Sequence, residues 1–553
     1  NFLQSSAGQF TRFEDSRNTN SNNRNNHDFN GNIEYKIDTM NYLKITPNFS
    51  YNNNSGGNVG SSFITQQQLN TDRSSNNSNN STAFNFRTNV FYNHRFSKRG
   101  RNFSFWGNVN FSNGGNFRNV YNRYQITEPG LDSLRIQNQL NDQDNHNFGT
   151  NAGVSYMEPL WKKTFIEMNY NYNFSATNSL RDVRDVINGE EFFNPNLSNN
   201  FDYQFVTNRF GVNYRFIGEK LNYTFGMNVQ PALLTGQNVS RGIETRNETF
   251  NIIPSARLSY RFSKQESFDI NYWGRNNQPG FLQLQPISDN SNLQNVVTGN
   301  PNLKPEFING LNAHYKQSDW NSGYILFINA NAEQTSNKIV TTKVLIPGTI
   351  NQQTSYTNTD GYRFINGDYY YSRPFSERKF SVGYSGRASI GDAVSFIDQA
   401  RNTATTTSWR QGVEFKVDLK EVMDTKFETS YSQDLTNYSL ESFEPRQTNR
   451  LQFGLYGRNY FFEDLTLGYD FSKTFNYGFQ NTAINNPTIL RLYAEYRFLK
   501  KNAGTFRVDG YDLFNQNRGI SRDVFDNVIV DRQVNRLGRY FMLSFIYRIN
   551  KNG

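Results

Sequence analysis

"KTFIEMNYNYNFS", residues 163 to 175, puts Ile166, Met168, Tyr170, Tyr172 and Phe174 in one phase of a two-residue period and Glu167, Asn169, Asn171 and Asn173 in the other. Successive side chains of an extended chain point to opposite faces, so this spacing predicts a strand with one apolar and one polar face. The same phase returns in "EKLNYTFGMNV" (219–229) and in "RNFSFWGNVNF" (101–111). A polar low-complexity tract would not keep it over so many segments. The chain is built of strands.

The composition narrows the setting of those strands. Mean hydropathy is −0.77 and only 35% of residues are hydrophobic, yet 16% are aromatic, with 49 Phe and 33 Tyr among 553 residues. Disordered chains lack that aromatic content. Strands that turn aromatics to lipid and amides to a wet interior have it. No apolar run of helix-spanning length occurs, and no basic-then-apolar leader opens the chain. Cysteine is absent, which removes disulfide and thiolate chemistry. The net charge of +9 comes from 57 basic and 48 acidic residues without a long basic block, so nucleic acid is not an expected partner.

Connections fall into two classes. One is short and charged: "IDTM" at 37–40, "SKRG" at 97–100, "LWKK" at 160–163, "IGEK" at 217–220 and "SKQE" at 263–266. It continues with "QSDW" at 317–320, "FSER" at 375–378, "KEVMD" at 420–424, "FED" at 462–464 and "KKNAG" at 500–504. The other is long and rich in Asn, Ser and Gly, as at 52–80 and 113–145, and reads as loop. Short turns at one end and long loops at the other predict an all-β fold, a large antiparallel transmembrane β-barrel with periplasmic turns and extracellular loops. Ten turns imply about 21 strands from Asn30 onward, and closed bacterial barrels normally have an even number. The expectation is therefore 21–22 strands in one barrel domain over 1–553, in a chain lacking part of its natural N-terminal region. Residues 1–29 are expected to be mostly extracellular loop or strand end.

Just before several short turns an aromatic–basic–apolar triplet recurs: "YRF" at 214–216, 260–262 and 496–498, "YRI" at 547–549, "HRF" at 94–96 and "YKI" at 35–37. Alternation places the flanking residues at the interfacial aromatic girdle. Lys36, Arg95, Arg215, Arg261, Arg497 and Arg548 then face the lumen near its periplasmic rim. Two readings stay open: ion pairs with inward carboxylates such as Glu167, Asp269 and Glu495, or a basic ring that docks a plug. The final strand sets Phe541, Leu543, Phe545, Tyr547 and Ile549 on one face, which resembles the C-terminal signal read by barrel-insertion machinery or is simply a sound terminal strand.

No catalytic constellation emerges. His27, His94, His146 and His314 are far apart, and Asp142, Asp144 and His146 in "NDQDNHNFG" lack the Gly and terminal Glu of a calcium loop. "GYSG" at 383–386 has the wrong glycine spacing for a nucleophile elbow. Neither enzyme activity, metal nor cofactor is expected.

"GNPNLKPE" at 299–306 resembles a motif of TonB-dependent receptor barrels, where it leads from an extracellular loop into a strand. Its residues here are Gly299, Asn300, Pro301, Leu303, Lys304, Pro305 and Glu306. Each proline biases its predecessor towards extended backbone, so the stretch reads as a stiff lead-in. "EYKIDTMNYLKITPNFSY", "SYMEPLWKK", "DGYDLFNQNRGISR" and "RYFMLSFIYRI" are similar to an outer-membrane β-barrel family abundant in Bacteroidetes-type bacteria. The resemblance covers nearly the whole chain. It implies an outer-membrane location, contact with lipid and lipopolysaccharide, and a plug domain from a missing N-terminal part. It further implies transport or ligand uptake. The alternative is a structural or accessory subunit of a secretion or barrel-assembly complex, with other outer-membrane or periplasmic proteins as partners.

Overall fold

The computed structural model describes residues 2–4, 10–66, 69–284, 286, 288–289, 295–345, 352–462, 464–478, 486–525, 528–535 and 537–548. They form one sheet of 30 strands. Nine strands are short: Phe2–Gln4, Ile33–Lys36, Glu190–Phe193, Ser288–Asp289, Asn295–Thr298, Lys338–Leu345, Gln352–Thr359, Arg518–Phe525 and Val528–Asn535. The other 21 make the wall.

In chain order the wall begins with β1 (Phe10–Asn30, resuming as Ile33–Lys36), β2 (Asn41–Gln66), β3 (Leu69–Arg95), β4 (Asn102–Glu128) and β5 (Leu131–Trp161). Then come β6 (Thr164–Ile187), β7 (Asn199–Ile217), β8 (Leu221–Asn238), β9 (Ile243–Arg261), β10 (Glu266–Asn277) and β11 (Glu306–Asp319). Next are β12 (Tyr324–Ser336), β13 (Tyr362–Phe375), β14 (Phe380–Ile397), β15 (Ala400–Asp418) and β16 (Met423–Tyr438). The last are β17 (Arg446–Phe461), β18 (Leu465–Tyr477), β19 (Thr488–Phe498), β20 (Gly504–Tyr511) and β21 (Tyr540–Tyr547).

Each wall strand pairs antiparallel with the next, as in the β7–β8 ladder from Phe201↔Asn238 to Ile217↔Asn222. This meander is what the ten short turns predict. Alternation settles the faces. Phe210, Val212, Met227, Phe250 and Ile252 point outward and are half or more exposed, as lipid-facing side chains must be. Asn213, Asn228 and Ser255 take the inner face.

Two sequence readings need correction. The Asn-rich stretches 52–80 and 113–145 are strand: β2 and β3 stay paired up to Gln66↔Leu69, and β4 and β5 up to Glu128↔Leu131. Likewise β1 runs as strand from Phe10 to Asn30 and pairs with β2 along its upper length. Asparagine is a poor strand former alone, but here its amides bridge neighbouring strands. Asn122 Nδ2 donates to Gln137 Oε1 at 2.9 Å, Ser179 Oγ to Asn145 Oδ1 at 2.7 Å, and Arg181 Nε to Asn141 Oδ1 at 2.9 Å. A bilayer core needs only about 9–11 tilted residues per strand, whereas β2 to β6 have 24 to 31. Their upper halves rise as a palisade beyond the lipid.

The two ends of the wall meet in one place. At the extracellular side Phe2–Gln4 pairs with β1 (Phe2↔Phe13) and also with the strand above β21 (Phe2↔Ile529). At membrane height, among the described residues, no ladder joins Ile33–Lys36 to β21. Both edges run the same way, since 21 antiparallel strands begin and end in one direction.

Candidate functional site

The extracellular mouth is where chain segments leave the wall and turn inward. Between β10 and β11 the chain forms one helical turn, Phe281–Leu284, then the strand pair Ser288–Asp289 and Asn295–Thr298, then the Gly299–Glu306 motif. Between β12 and β13 it forms a hairpin, Lys338–Leu345 with Gln352–Thr359. The hairpin pairs in parallel with Asn295–Val297 on one side and with Phe396–Ile397 of β14 on the other. The two segments form one cover.

Polar groups of the motif pin it to that cover. Asn300 accepts from the Asn302 amide through Oδ1 at 2.9 Å and donates through Nδ2 to the Tyr356 carbonyl at 2.9 Å. Its own amide donates to the Gln283 carbonyl at 2.6 Å. Asn358 clasps the Lys304 backbone, accepting from its N–H at 2.8 Å and donating to its carbonyl at 2.9 Å. Asn247 of β9 donates to the Leu303 carbonyl at 3.2 Å. Glu306, only 2% exposed, accepts from Asn277 Nδ2 at 2.7 Å and the Ile339 amide at 2.9 Å, and pairs with Lys338 Nζ at 3.0 Å. These bonds satisfy a carboxylate that would otherwise be costly to bury.

Apolar groups then fill the inner side. Leu303 and Leu284 pack with Ile339, with Phe205 of β7 and with Ala232 and Leu234 of β8, and Tyr203 and Tyr356 close the edges. By alternation Phe205, Ala232 and Leu234 lie on the inner face of their strands. The motif is therefore more than a lead-in: it carries Leu303 into the mouth, at 1% exposure. Its prolines hold the backbone so that one residue points inward while the chain turns into β11. Asn247, Gln283, Ile339 and Asn358 carried no sequence signal, because each is polar or apolar loop chemistry whose partner is remote in sequence.

The six rim residues do not behave alike. Arg215 pairs with Glu167 at 3.0 Å, and Arg497 lies 4.0 Å from Glu495. Asp269 is approached by Arg257, at 4.0 Å, and not by Arg261. Lys36, Arg95, Arg261 and Arg548 are exposed and have no carboxylate within ion-pairing distance among the described residues. On β21, Phe541, Leu543, Phe545 and Tyr547 are exposed outward, while Met542 and Ile546 on the inner face are also exposed, at 42% and 53%. Ile549 lies outside the described residues. His94 Nδ1 contacts Asn41 Oδ1 at 2.7 Å. Among the described residues no three His, Cys, Asp or Glu side chains converge as a metal site.

A family model described as the outer membrane protein beta-barrel family matches residues 94–547. No curated protein matches. Among solved structures, the chain is similar to a Serratia marcescens hemophore receptor, HasR, in complex with its hemophore and heme. Identity there is 11%, covering 96% of this chain and 80% of that one, with a TM-score of 0.48. The copper transporter OprC is 9% identical over 97% and 82% of the chains, TM-score 0.49. The siderophore receptor PirA from Pseudomonas aeruginosa is 11% identical over 96% and 81%, TM-score 0.39.

Proposed function

The chain belongs to the outer membrane protein β-barrel family and is a protein of the bacterial outer membrane; on that premise we propose that it is a gated uptake receptor of the TonB-dependent type. The observation that carries this reading is the inward cover, in which Leu284 and Leu303 seat on inner-face residues of β7 and β8. A passive pore has no use for an apolar cluster seated inside its mouth beside a buried, fully bonded Glu306. A receptor that must hold a ligand outside before admitting it does.

The lumen supports a second component. Met542 and Ile546 present apolar surface to a wet interior, and Lys36, Arg95, Arg261 and Arg548 present charge without acidic partners among the described residues. A plug domain that buries the two apolar groups and offers carboxylates to the four cations accounts for both. Outer-membrane lipid and lipopolysaccharide surround the exposed band. The accessory-subunit reading draws on one feature, the palisade of β2 to β6, whose height suits a docking platform.

Uptake is tested by growth on a limiting nutrient in strains with and without energy coupling to the outer membrane. The proposal expects dependence on coupling, and its absence would remove the proposal. Stoichiometric partners recovered in mild detergent from coupling-independent cells would favour the platform.

A further inference from the structure

On the inner face of the palisade, well above the lipid, four residues sit side by side across four strands: Ser62, Arg73, Tyr124 and Arg135. Thr71 is the next inner-face residue along β3, and Arg12 and Glu14 approach from β1. The hydroxyls of Thr71, Tyr124 and Ser62 are buried without a hydrogen-bond partner among the described residues, in residues 0%, 3% and 8% exposed. Arg73 donates from Nε and Nη2 to Asn122 Oδ1 at 3.3 and 3.0 Å, and its guanidinium lies 5.8 Å from the centre of the Tyr124 ring. It has no carboxylate partner among the described residues. Arg12 pairs with Glu14 at 2.9 Å. Among the described residues, Arg12, Arg73 and Arg135 thus share this inner face with the Glu14 carboxylate.

The inventory is lopsided. Buried hydroxyls normally find partners, and buried cations are normally paired. Here three hydroxyls without partners among the described residues, each able to donate, share the inner face with a part-buried guanidinium whose acceptor among those residues is a neutral amide. Burial holds the Arg12 guanidinium below its ordinary pKa against the pull of Glu14, with the Arg73 charge adding to the depression. Burial pushes the Tyr124 phenol up against the pull of Arg73, Arg135 and Arg12. A donor-rich, cationic, acceptor-poor site fits a ligand group that only accepts and carries negative charge, and planar guanidinium suits two oxygens at once.

We infer that this patch is an oxyanion site, taking the carboxylate, sulfate or phosphate group of a soluble extracellular ligand on Arg73, Thr71, Tyr124 and Ser62. The inference rests on the uptake reading for what happens after capture, but capture is measured separately.

The intact protein in lipopolysaccharide-free nanodiscs is titrated calorimetrically with inorganic phosphate and with sulfate, ionic strength being held constant with chloride. Saturable binding at one site is expected. Arg73→Met should weaken it at least tenfold, Arg73→Lys less, and Thr71→Val and Tyr124→Phe severalfold each. Absence of saturable binding, or affinity unchanged in all four variants, would overturn the inference. The two hydroxyl deletions barely alter shape, so they decide the matter if Arg73→Met fails to assemble as judged by heat-modifiable gel mobility. Competition by lipopolysaccharide added to the nanodiscs would overturn the soluble source. Binding without coupled uptake removes the uptake reading alone; coupled uptake without binding removes the site alone.

Discussion

Leu303 shows how much one side chain carries. At 1% exposure amid Leu284, Phe205 and Leu234, its truncation to Ala leaves a cavity costing about 2–5 kcal/mol. The cover should loosen, and single-channel conductance in planar bilayers should rise; conductance equal to wild type would show that the cover does not gate. Arg215 and Arg261 make a contrasting pair. Arg215→Ala leaves the Glu167 carboxylate to Ser155 and Asn213 and should cost about 1 kcal/mol, a figure kept small because the arginine is a third exposed. Arg261→Ala should leave thermal stability unchanged while weakening retention of a plug, as read by co-purification. In the first turn, the Asp38 carboxylate accepts from the Met40 and Asn41 amides at 2.7 Å each, and the Asn41 side chain and these amides hold its pKa below the ordinary value. A depressed acid stabilises the fold fully above its unfolded pKa of about 3.9 and loses that contribution as pH falls through the depressed value. Exchange at the Met40 and Asn41 amides should therefore quicken only in strong acid, beyond the intrinsic trend, and quickening already near pH 6 would contradict this.

Hairpins are the unit at the next scale. The short turns were legible because charged, turn-forming residues interrupt the alternation, although "QSDW" misplaced one slightly: β11 runs on to Asp319 and the turn follows it. The tall hairpins were not legible. Asn-, Ser- and Gly-rich sequence has the composition of loop, and only side-chain amides bonding across strands make strand of it. A proline at Asn77, whose backbone pairs with Asn58 on one side and Val120 on the other, removes a ladder donor inside the palisade. The expected result is fast amide exchange across 70–80 with the membrane band intact. If wild-type amides in 52–66 already exchange like free loop, the palisade is wrong.

At the scale of the molecule the unpaired seam demands attention from physics. Backbone N–H and C=O groups in lipid must be bonded, and among the described residues Ile33–Lys36 and β21 each have one unladdered edge at membrane height. They run in the same direction, so one outward-running strand between them would bond both edges antiparallel and make the number even. In membranes the seam-facing amides of Ile33–Lys36 and Tyr540–Tyr547 should exchange as slowly as those of β7. Rapid exchange there would mean a lateral opening.

Period-two alternation is local chemistry, set by where successive Cβ atoms point, so the strands, their faces, the short turns and the odd count could all be read along the chain. On the final strand Phe541, Leu543, Phe545 and Tyr547 alternate outward and are exposed. Which arginine meets which carboxylate could not be read, because Glu167 finds Arg215 only through the β6–β7 register, and Asp269 lies opposite Ser259 between Arg257 and Arg261, of which Arg257 approaches it. Nor could the fate of "GNPNLKPE". Its prolines dictate stiffness, but Leu303 turns inward because Asn358, Asn247 and Tyr356, each some 50 residues away in sequence, hold its backbone from the far side of the mouth. Periodicity is a property of neighbours in the chain; the cover and the contacts of the palisade arise between strands and loops that only pairing across the sheet brings together.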